Sequence, residues 1–359
     1  MNSFINALGI KNIHVSSNQI IILNAFILLT ISAFIVACIT GSINISLRGL
    51  FNSSLDELSR VVLIEIRLPR VILAGLVGAS LGISGAALQG LFRNPLADPG
   101  LIGVSAGAAL GATLVIVLGS SFVGSFALGS FLLPLGAIIG AMSVILLLYF
   151  LTKGFGYQGV TYMLLVGIAV NAIAGVGIGI LTFISTDSEL RGLTFWTMGS
   201  FGGVTWPLLI PAILIILVSI SLMMTVSRNL DLIQLGEPEA YRLGVDVKKL
   251  KYKIILTCAA AVGASVSLSG MIGFVGLVVP HLVRLFGGVN HNFLMPGSAF
   301  VGASLMIIAD MLSRTIIQPA ELPVGLLTSA IGSPFFLWLI FRIKSCLLYT
   351  SPSPRDGFT

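Results

Sequence analysis

The sequence predicts an all-α polytopic membrane protein with about ten transmembrane helices, and three features of its composition carry that prediction. Of the 359 residues, 56% are hydrophobic and 9% are charged, and the mean hydropathy is +1.08. Soluble domains average about 25% charged residues, so this chain has too few charges to cover a water-facing surface. A soluble enzyme, a nucleic-acid-binding protein and a disordered chain are therefore excluded.

Stretches that lack Asp, Glu, Lys and Arg locate the membrane spans. A helix needs about 20 apolar residues to cross the bilayer, so the longest stretches must each hold two helices, divided where Gly, Pro and Ser gather. The segments 101–118 and 272–286 are short, and a further apolar piece at 193–201 is too short to span. The ten predicted spans are 20–41, 68–92, 101–118, 131–151, 160–183, 206–226, 253–270, 272–286, 296–317 and 323–342.

The basic residues predict which side of the membrane each connection faces. With the N-terminus inside, 13 Lys and Arg residues fall in cytoplasmic segments and 6 fall outside, and all seven Lys fall inside. Cytoplasmic loops carry such an excess in membrane proteins. We therefore expect both termini in the cytoplasm, and the net charge of +6 reflects these loops and not a nucleic-acid partner.

The spacing of small residues predicts how the helices pack. Gly103, Gly107 and Gly111 recur every four residues, and so do Gly78 and Gly82. Such stripes let helix backbones approach closely in lipid, where packing and not hydrophobic burial holds helices together. Close helix contacts are expected along both stripes.

The chain carries no recognisable catalytic or metal-binding pattern. No carboxylate pair lies within a predicted span, and no Gly-x-x-x-x-Gly-Lys-Ser/Thr phosphate loop occurs. We therefore expect no catalytic residue, cofactor or metal in this chain, and the energy for any transport must come from a gradient or from another chain. The histidines and cysteines are scattered, at His14, His281, His291, Cys38, Cys258 and Cys346.

The largest polar insertion in the second half of the chain is 227–253, on the predicted cytoplasmic side. Its segment LGEPEAYRLGV, at 235–245, is typical of a short amphipathic helix, with Pro238 in the first turn and Gly244 at the stop. Two interpretations remain open: an anchor that lies parallel to the membrane, and a knob that docks onto a cytoplasmic partner. The predicted apolar face is Leu235, Ala240 and Leu243.

Six motifs lie in one order along nearly the whole chain, as far as Arg342, and together they are very specific. They resemble the FecCD family, the ABC import permeases for ferric siderophores, haem and cobalamin. The motifs are RLPRVILAGLVGASLGISGAALQGLFRNPLADPGLIGVSAGAALGA (67–112), FWTMGSFGG (195–203), LGEPEAYRLGV (235–245), SGMIGFVGLVVPHLVRL (269–285), ADMLSRT (309–315) and AELPVGLLTSAIGSPFFLWLIFR (320–342).

The resemblance implies a cobalamin-importer-like permease fold. One transmembrane permease domain would occupy 1–344, with a cytoplasmic coupling segment at 229–248, and spans two to five and seven to ten would form an inverted repeat. Two copies of the chain would enclose the translocation path in the bacterial inner membrane. Two ATP-binding cassette subunits would bind ATP and Mg, and a periplasmic or lipid-anchored binding protein would deliver the substrate.

The same resemblance assigns roles to residues at both ends of the spans. Arg67, Arg70 and Arg314 match arginines that face the substrate-binding protein, and their alternative role is anchoring at the membrane interface. Asp310 is expected to pair with Arg314 one helical turn on. The residues that match the ATPase-coupling helices are Leu235, Gly236, Glu237, Ala240, Leu243, Gly244 and Val245.

The substrate class rests on two strings, NPLADPGLIGVSAGAALGA at 94–112 and a second one farther along the chain. The second is DSELRGLTFWTMGSFGGVTWPLL at 187–209. Together they most closely resemble the haem-import branch, and the siderophore and cobalamin branches carry similar strings. An ion-coupled secondary transporter is the rival class, but it would need ionisable residues within the membrane, and only Asp310 comes close. We assign no haem ligand. The tail at 345–359 departs from the family pattern, and we expect it to be disordered or foreign, without a function.

Overall fold

The computed structural model describes residues 16–41, 56–122, 129–152 and 159–350, and every regular element within these ranges is helical. In chain order the helices are α1 (Ser17–Ile39), α2 (Glu57–Phe92), a 3-10 turn (Pro99–Ile102), α3 (Val104–Phe122), α4 (Gly129–Thr152), α5 (Gly159–Ile184), α6 (Asp187–Met198), α7 (Trp206–Met224), α8 (Ser227–Ile233), α9 (Glu237–Arg242), α10 (Val247–Ser269), α11 (Val275–Gly287), α12 (His291–Thr315) and α13 (Val324–Thr350).

The helices long and apolar enough to cross a membrane confirm the predicted spans. Over the described residues, seven helices meet that length and composition, and three shorter apolar helices complete a set of ten. The shorter ones include both segments that the sequence marks as short. They are Val104–Gly119, Val275–Gly287 and Val324–Trp338.

Helix α2 begins eleven residues before the predicted span 68–92. The Asp56 side chain accepts a hydrogen bond from the Ser59 backbone N–H at 3.3 Å, which caps the new start. The backbone then passes through a π-helical stretch, Val62–Arg67, before α-helical geometry resumes. Arg67 therefore lies within the helix and not in the preceding connection, and its side chain reaches across to α1.

Glycine brings the backbones of α2 and α12 into direct contact. A Cβ on Gly78 would overlap the carbonyl oxygen of Gly302, and a Cβ on Gly302 would overlap that of Gly78. Gly82 stands against the Ser298 carbonyl in the same way. Both predicted glycine stripes are used like this, because α3 and α4 meet along Gly107, Gly111, Gly136 and Gly140.

The helix pairing agrees with an inverted repeat of spans two to five and seven to ten. In such a repeat α10 corresponds to α2, α11 to α3 and α12 to α4. A contact between α2 and α12 therefore implies one between α10 and α4, and a contact between α3 and α4 implies one between α11 and α12. All four pairs are in contact, and α2 also packs against α10, its own counterpart. The second and seventh spans therefore lie at the centre of the bundle, where both are largely buried.

The eighth span is short because the chain leaves the helix after Ser269. Gly270, with φ of 68°, turns the backbone, and helical geometry returns only at Val275. The ends of three helices meet at this break: the Ser200 backbone N–H donates to the Ser269 carbonyl at 2.8 Å, and the Val324 N–H donates to Gly199 at 3.0 Å. This junction joins the end of α6 to the start of α13.

The two chain ends fall partly outside the described residues. Residues 1–15 and 351–359 lie outside them, so most of the tail that the sequence predicts to be disordered or foreign is not described. The backbone of α13 is helical through Thr350, six residues into that tail.

Candidate functional site

The predicted coupling segment forms a compact unit of two short helices, α8 and α9, that leads into α10. Gly236, with φ of 111°, and Gly244, with φ of 88°, bracket α9 and allow the sharp turns on either side. Asp246 caps α10, and the hydrogen bond from the Lys249 backbone N–H holds the pKa of the Asp246 carboxyl below its usual value. The turns and the cap of this segment therefore depend on residues close together in sequence and not on distant parts of the chain.

One side of this unit faces inward, onto the rest of the chain. Ala240 is fully buried, and Val245 and Glu237 are nearly so. The Glu237 carboxylate accepts a hydrogen bond from the Lys251 ammonium at 2.8 Å, and both side chains are shielded from solvent. A buried charge needs such a partner, so this ion pair holds α9 against the start of α10.

The opposite side presents three large apolar side chains to the surroundings. Leu235, Tyr241 and Leu243 are 64%, 66% and 58% exposed. Exposed apolar patches of this kind mark interaction surfaces. The predicted apolar face is corrected in one member, because Ala240 points inward and Tyr241, which the sequence reasoning missed, takes its place.

Two further polar side chains tie α8 to the ends of spans. Asp231 accepts hydrogen bonds from the His291 backbone N–H at 2.9 Å and from the His291 ring Nδ1 at 2.6 Å. Gln234 donates to the Gly90 carbonyl at 2.8 Å. Sequence reasoning missed Asp231 and Gln234, because their partners lie 60 and 144 positions away in the sequence. No local sequence pattern indicates such distant contacts.

At the other end of α2, two of the three predicted arginines, Arg70 and Arg314, come together in a buried ionic network. Arg70 pairs with Asp310 at 2.9 Å and with Glu321 at 2.9 Å, and Arg314 pairs with Asp310 at 3.2 Å. The predicted Asp310–Arg314 pair is therefore present. Asp310 is 1% exposed and Glu321 is 50% exposed, so Glu321 is the member of the network that faces outward.

The third arginine, Arg67, binds the C-terminal end of α1, and Arg314 contacts it as well. Arg67 donates to the carbonyls of Cys38 at 3.1 Å and Ile39 at 2.7 Å, and Arg314 donates to the Ala37 carbonyl at 3.1 Å. Carbonyls at a helix C-terminus lack intrahelical partners and carry partial negative charge, so they suit cations. Arginine side chains thus brace α1 against α2 and α12.

This geometry changes what can be expected of the three arginines. Arg67 and Arg70 are buried, the Arg314 side chain is 8% exposed, and all three donate to groups of their own chain. They do not stand free on the surface as the sequence analysis expects. Their contact with a binding protein stays a prediction.

The described ranges contain no group of three or more His, Cys, Asp and Glu side chains that could hold a metal ion. His281 stacks edge-on against Phe335 with ring centroids 5.6 Å apart, in keeping with a packing role. The candidate site is the exposed face of the coupling segment.

Over the described residues, ten apolar helices pack together, with glycine contacts in the α2–α12 and α3–α4 pairs. These helices define an integral membrane protein. The chain belongs to the FecCD transport family, whose family model matches residues 28–342. That family comprises permease subunits of ABC importers, which are transport components and not ATPases.

Individual relatives support the same assignment. The chain is 48% identical over 279 residues to the hemin transport system permease protein HmuU of Yersinia pestis, across 78% of this chain and 83% of that protein. It is 40% identical over 297 residues to the vitamin B12 import system permease protein BtuC of Vibrio vulnificus, across 80% and 85%. A solved inward-facing structure of a metal-chelate type ABC transporter superposes with a TM-score of 0.79 at 33% identity, covering 89% of this chain and 99% of that one.

Proposed function

We propose that this chain is the haem-translocating permease subunit of an ATP-driven importer in the bacterial inner membrane. Two copies would enclose the path, two ATP-binding cassette subunits would bind ATP and Mg, and a periplasmic or lipid-anchored binding protein would deliver haem. The sequence contains no phosphate loop, so ATP hydrolysis belongs to the separate subunits in this proposal.

The exposed patch on the coupling segment is the observation that carries the proposal. Leu235, Tyr241 and Leu243 are large, apolar and exposed on a segment that Glu237 and Lys251 hold in a defined shape. Such side chains suit a groove on a partner, because their burial there removes apolar surface from water. Motion of the ATPase subunits would reach the spans through this contact.

Haem as the cargo is supported by the degree of similarity. The HmuU relative is 48% identical to this chain, and the BtuC relative of Vibrio vulnificus is 40% identical. No residue of this chain is assigned as a haem ligand. In this proposal the path binds weakly, and the separate binding protein selects the substrate.

The test is uptake into proteoliposomes that contain this chain with its cognate ATPase and binding protein. Haem, cobalamin and a ferric siderophore are offered one at a time, with and without ATP. We expect ATP-dependent uptake of haem alone. Uptake of cobalamin or siderophore in place of haem would replace the substrate assignment and keep the importer. Uptake driven by an ion gradient without ATP would favour a secondary transporter.

A further inference from the structure

The exposed patch explains how a partner could bind the coupling segment, but not how motion of that segment would reach the spans. A second set of contacts joins the same segment to the ends of two spans. We call it the polar clamp: Asp231 of α8, Gln234 directly after α8, the Gly90 carbonyl near the end of α2, and His291 at the start of α12.

Asp231 acts as a cap for a helix other than its own. One of its carboxylate oxygens accepts both the backbone N–H of His291, in the first turn of α12, and the His291 ring Nδ1. A carboxylate at a helix N-terminus is favoured by the unpaired N–H groups and by the helix dipole. The two bonds therefore define both the position and the direction of approach of α8 relative to α12.

The clamp holds α2 at the same place. Gln234 donates to the Gly90 carbonyl at 2.8 Å. The His291 ring lies so close to Gly90 that a Cβ there would overlap Nε2, and in the described chain this Nε2 is buried without a hydrogen-bond partner. One histidine ring thus fills the space between the ends of α2 and α12, next to α8.

The helices that the clamp grips are joined to each other along their length. Gly78 and Gly302 place the backbones of α2 and α12 in contact, and the Arg70–Asp310 ion pair links them again near their far ends. From Gly90 to Arg70 there are 20 residues of helix, which corresponds to about 30 Å at 1.5 Å per residue. Close-packed interiors transmit displacement because they do not deform continuously.

We propose that Asp231, Gln234 and His291 are positioning residues that make the coupling segment move as one body with the α2–α12 pair. A displacement imposed on the segment by the ATPase then reaches the opposite ends of these helices. Without the clamp, α8 keeps its apolar contacts with the helix ends and the hydrogen bond from Ser227 Oγ to Met295 Sδ at 3.4 Å. A thioether sulfur is a weak acceptor, so most of the directional hydrogen bonding between α8 and these ends belongs to the clamp. This inference rests on the proposed function of the chain as an ATP-driven permease.

The experiment compares Asp231→Ala with Asp231→Asn in the full complex of permease, ATPase and binding protein. The asparagine retains an oxygen that can accept both bonds from His291, whereas the alanine removes it. For Asp231→Ala we expect substrate taken up per ATP hydrolysed to fall on the order of fivefold or more, the lower end of typical coupling between sites. We expect Asp231→Asn to remain near wild type, and both variants to co-purify with the ATPase.

A double-mutant cycle with His291→Ala keeps the proposal falsifiable. If the two side chains act as one clamp, the double variant should be no worse than either single variant. The proposal is wrong if uptake per ATP is unchanged in Asp231→Ala, if Asn fails like Ala, if the two effects simply add, or if Asp231→Ala no longer assembles with the ATPase. The importer assignment itself is tested separately by ATP-dependent uptake with the wild-type complex.

Discussion

Adjacent residues of α9 point to opposite environments, and this decides which side chains can meet a partner. Ala240 is fully buried and Tyr241 is 66% exposed. Successive residues of an α-helix are rotated by about 100° around its axis, so neighbours need not share a face. The methyl group of Ala240 fits the close approach to the core, and the exposed positions carry the larger apolar groups.

The first prediction concerns this exposed face. Leu243→Asp should weaken association with the ATPase at least about tenfold, because an unpaired carboxylate buried at an interface costs several kcal/mol. Leu243 is largely exposed in the free chain, so folding should be unaffected. Co-purification of the ATPase and ATP-driven uptake measure the effect, with Leu243→Met as the control that should retain both. Normal uptake by the aspartate variant would remove Leu243 from the docking surface.

The second prediction concerns the buried network at the other end of α2. Asp310→Ala should destabilise the protein by about 3–5 kcal/mol, because it leaves the guanidinium groups of Arg70 and Arg314 without their buried carboxylate. Glu321→Gln is the matched control. The Glu321 side chain is half exposed, so removal of its charge should lower the free energy of unfolding by about 1 kcal/mol or less. Thermal unfolding of the solubilised protein compares the two variants. Equal effects would mean that Asp310 is not the centre of the network.

At the scale of the elements, glycine determines how closely the spans pack. The α2–α12 and α3–α4 contacts both place a glycine against a backbone carbonyl of the facing helix. In lipid, helices gain little from hydrophobic burial, so close van der Waals packing has to hold them together. A backbone carbonyl cannot rotate away as a flexible side chain can, and this makes the contacts intolerant of any added atom.

The third prediction follows from that intolerance. Gly78→Ala should destabilise the protein by about 1–3 kcal/mol, the usual cost of overpacking, because the new Cβ would overlap the Gly302 carbonyl. Gly175→Ala in α5 is the control, because nothing lies within 4 Å of the added Cβ. Alanine is the better helix former by about 1 kcal/mol, so this second change should be neutral or stabilising. Thermal unfolding would contradict the packing argument if both variants behaved alike.

At the scale of the whole molecule, the orientation in the membrane follows from the distribution of basic residues. The count of 13 inside against 6 outside predicts that α8 and α9 lie in the cytoplasm and α6 on the outer side. In this orientation the exposed patch on the coupling segment would face the compartment that holds ATP.

The fourth prediction tests this orientation by labelling single cysteines. In a chain whose three native cysteines are replaced, Lys248→Cys should react with a membrane-impermeant thiol reagent only in inside-out vesicles. Ser188→Cys should react only in right-side-out vesicles. Both positions are exposed, so access to the reagent and not burial decides the result. The reverse pattern would invert the topology and place the coupling segment outside.

The class of the protein, the number of its spans and its family are determined by the sequence alone. The apolar length of a segment and the Lys and Arg residues that flank it are local properties of the sequence. Whether a segment spans the membrane depends mainly on these properties, so ten spans can be counted without a structure. The turns around α9 are also local, because Gly236 and Gly244 supply positive φ where the chain needs it. The glycine stripes likewise predict which helix faces pack closely, though not against which partner.

Only the tertiary structure decided which groups meet. Arg70 and Asp310 are 240 residues apart, Arg314 and Ala37 are 277 apart, and even Glu237 and Lys251 are 14 apart. No sequence period relates such pairs, since they depend on which helices pack together and in which rotation. For the same reason the arginines expected at the surface lie buried: in an interior that water does not reach, a charge is stable only beside an opposite charge or a free carbonyl, and packed helices bring those partners within reach.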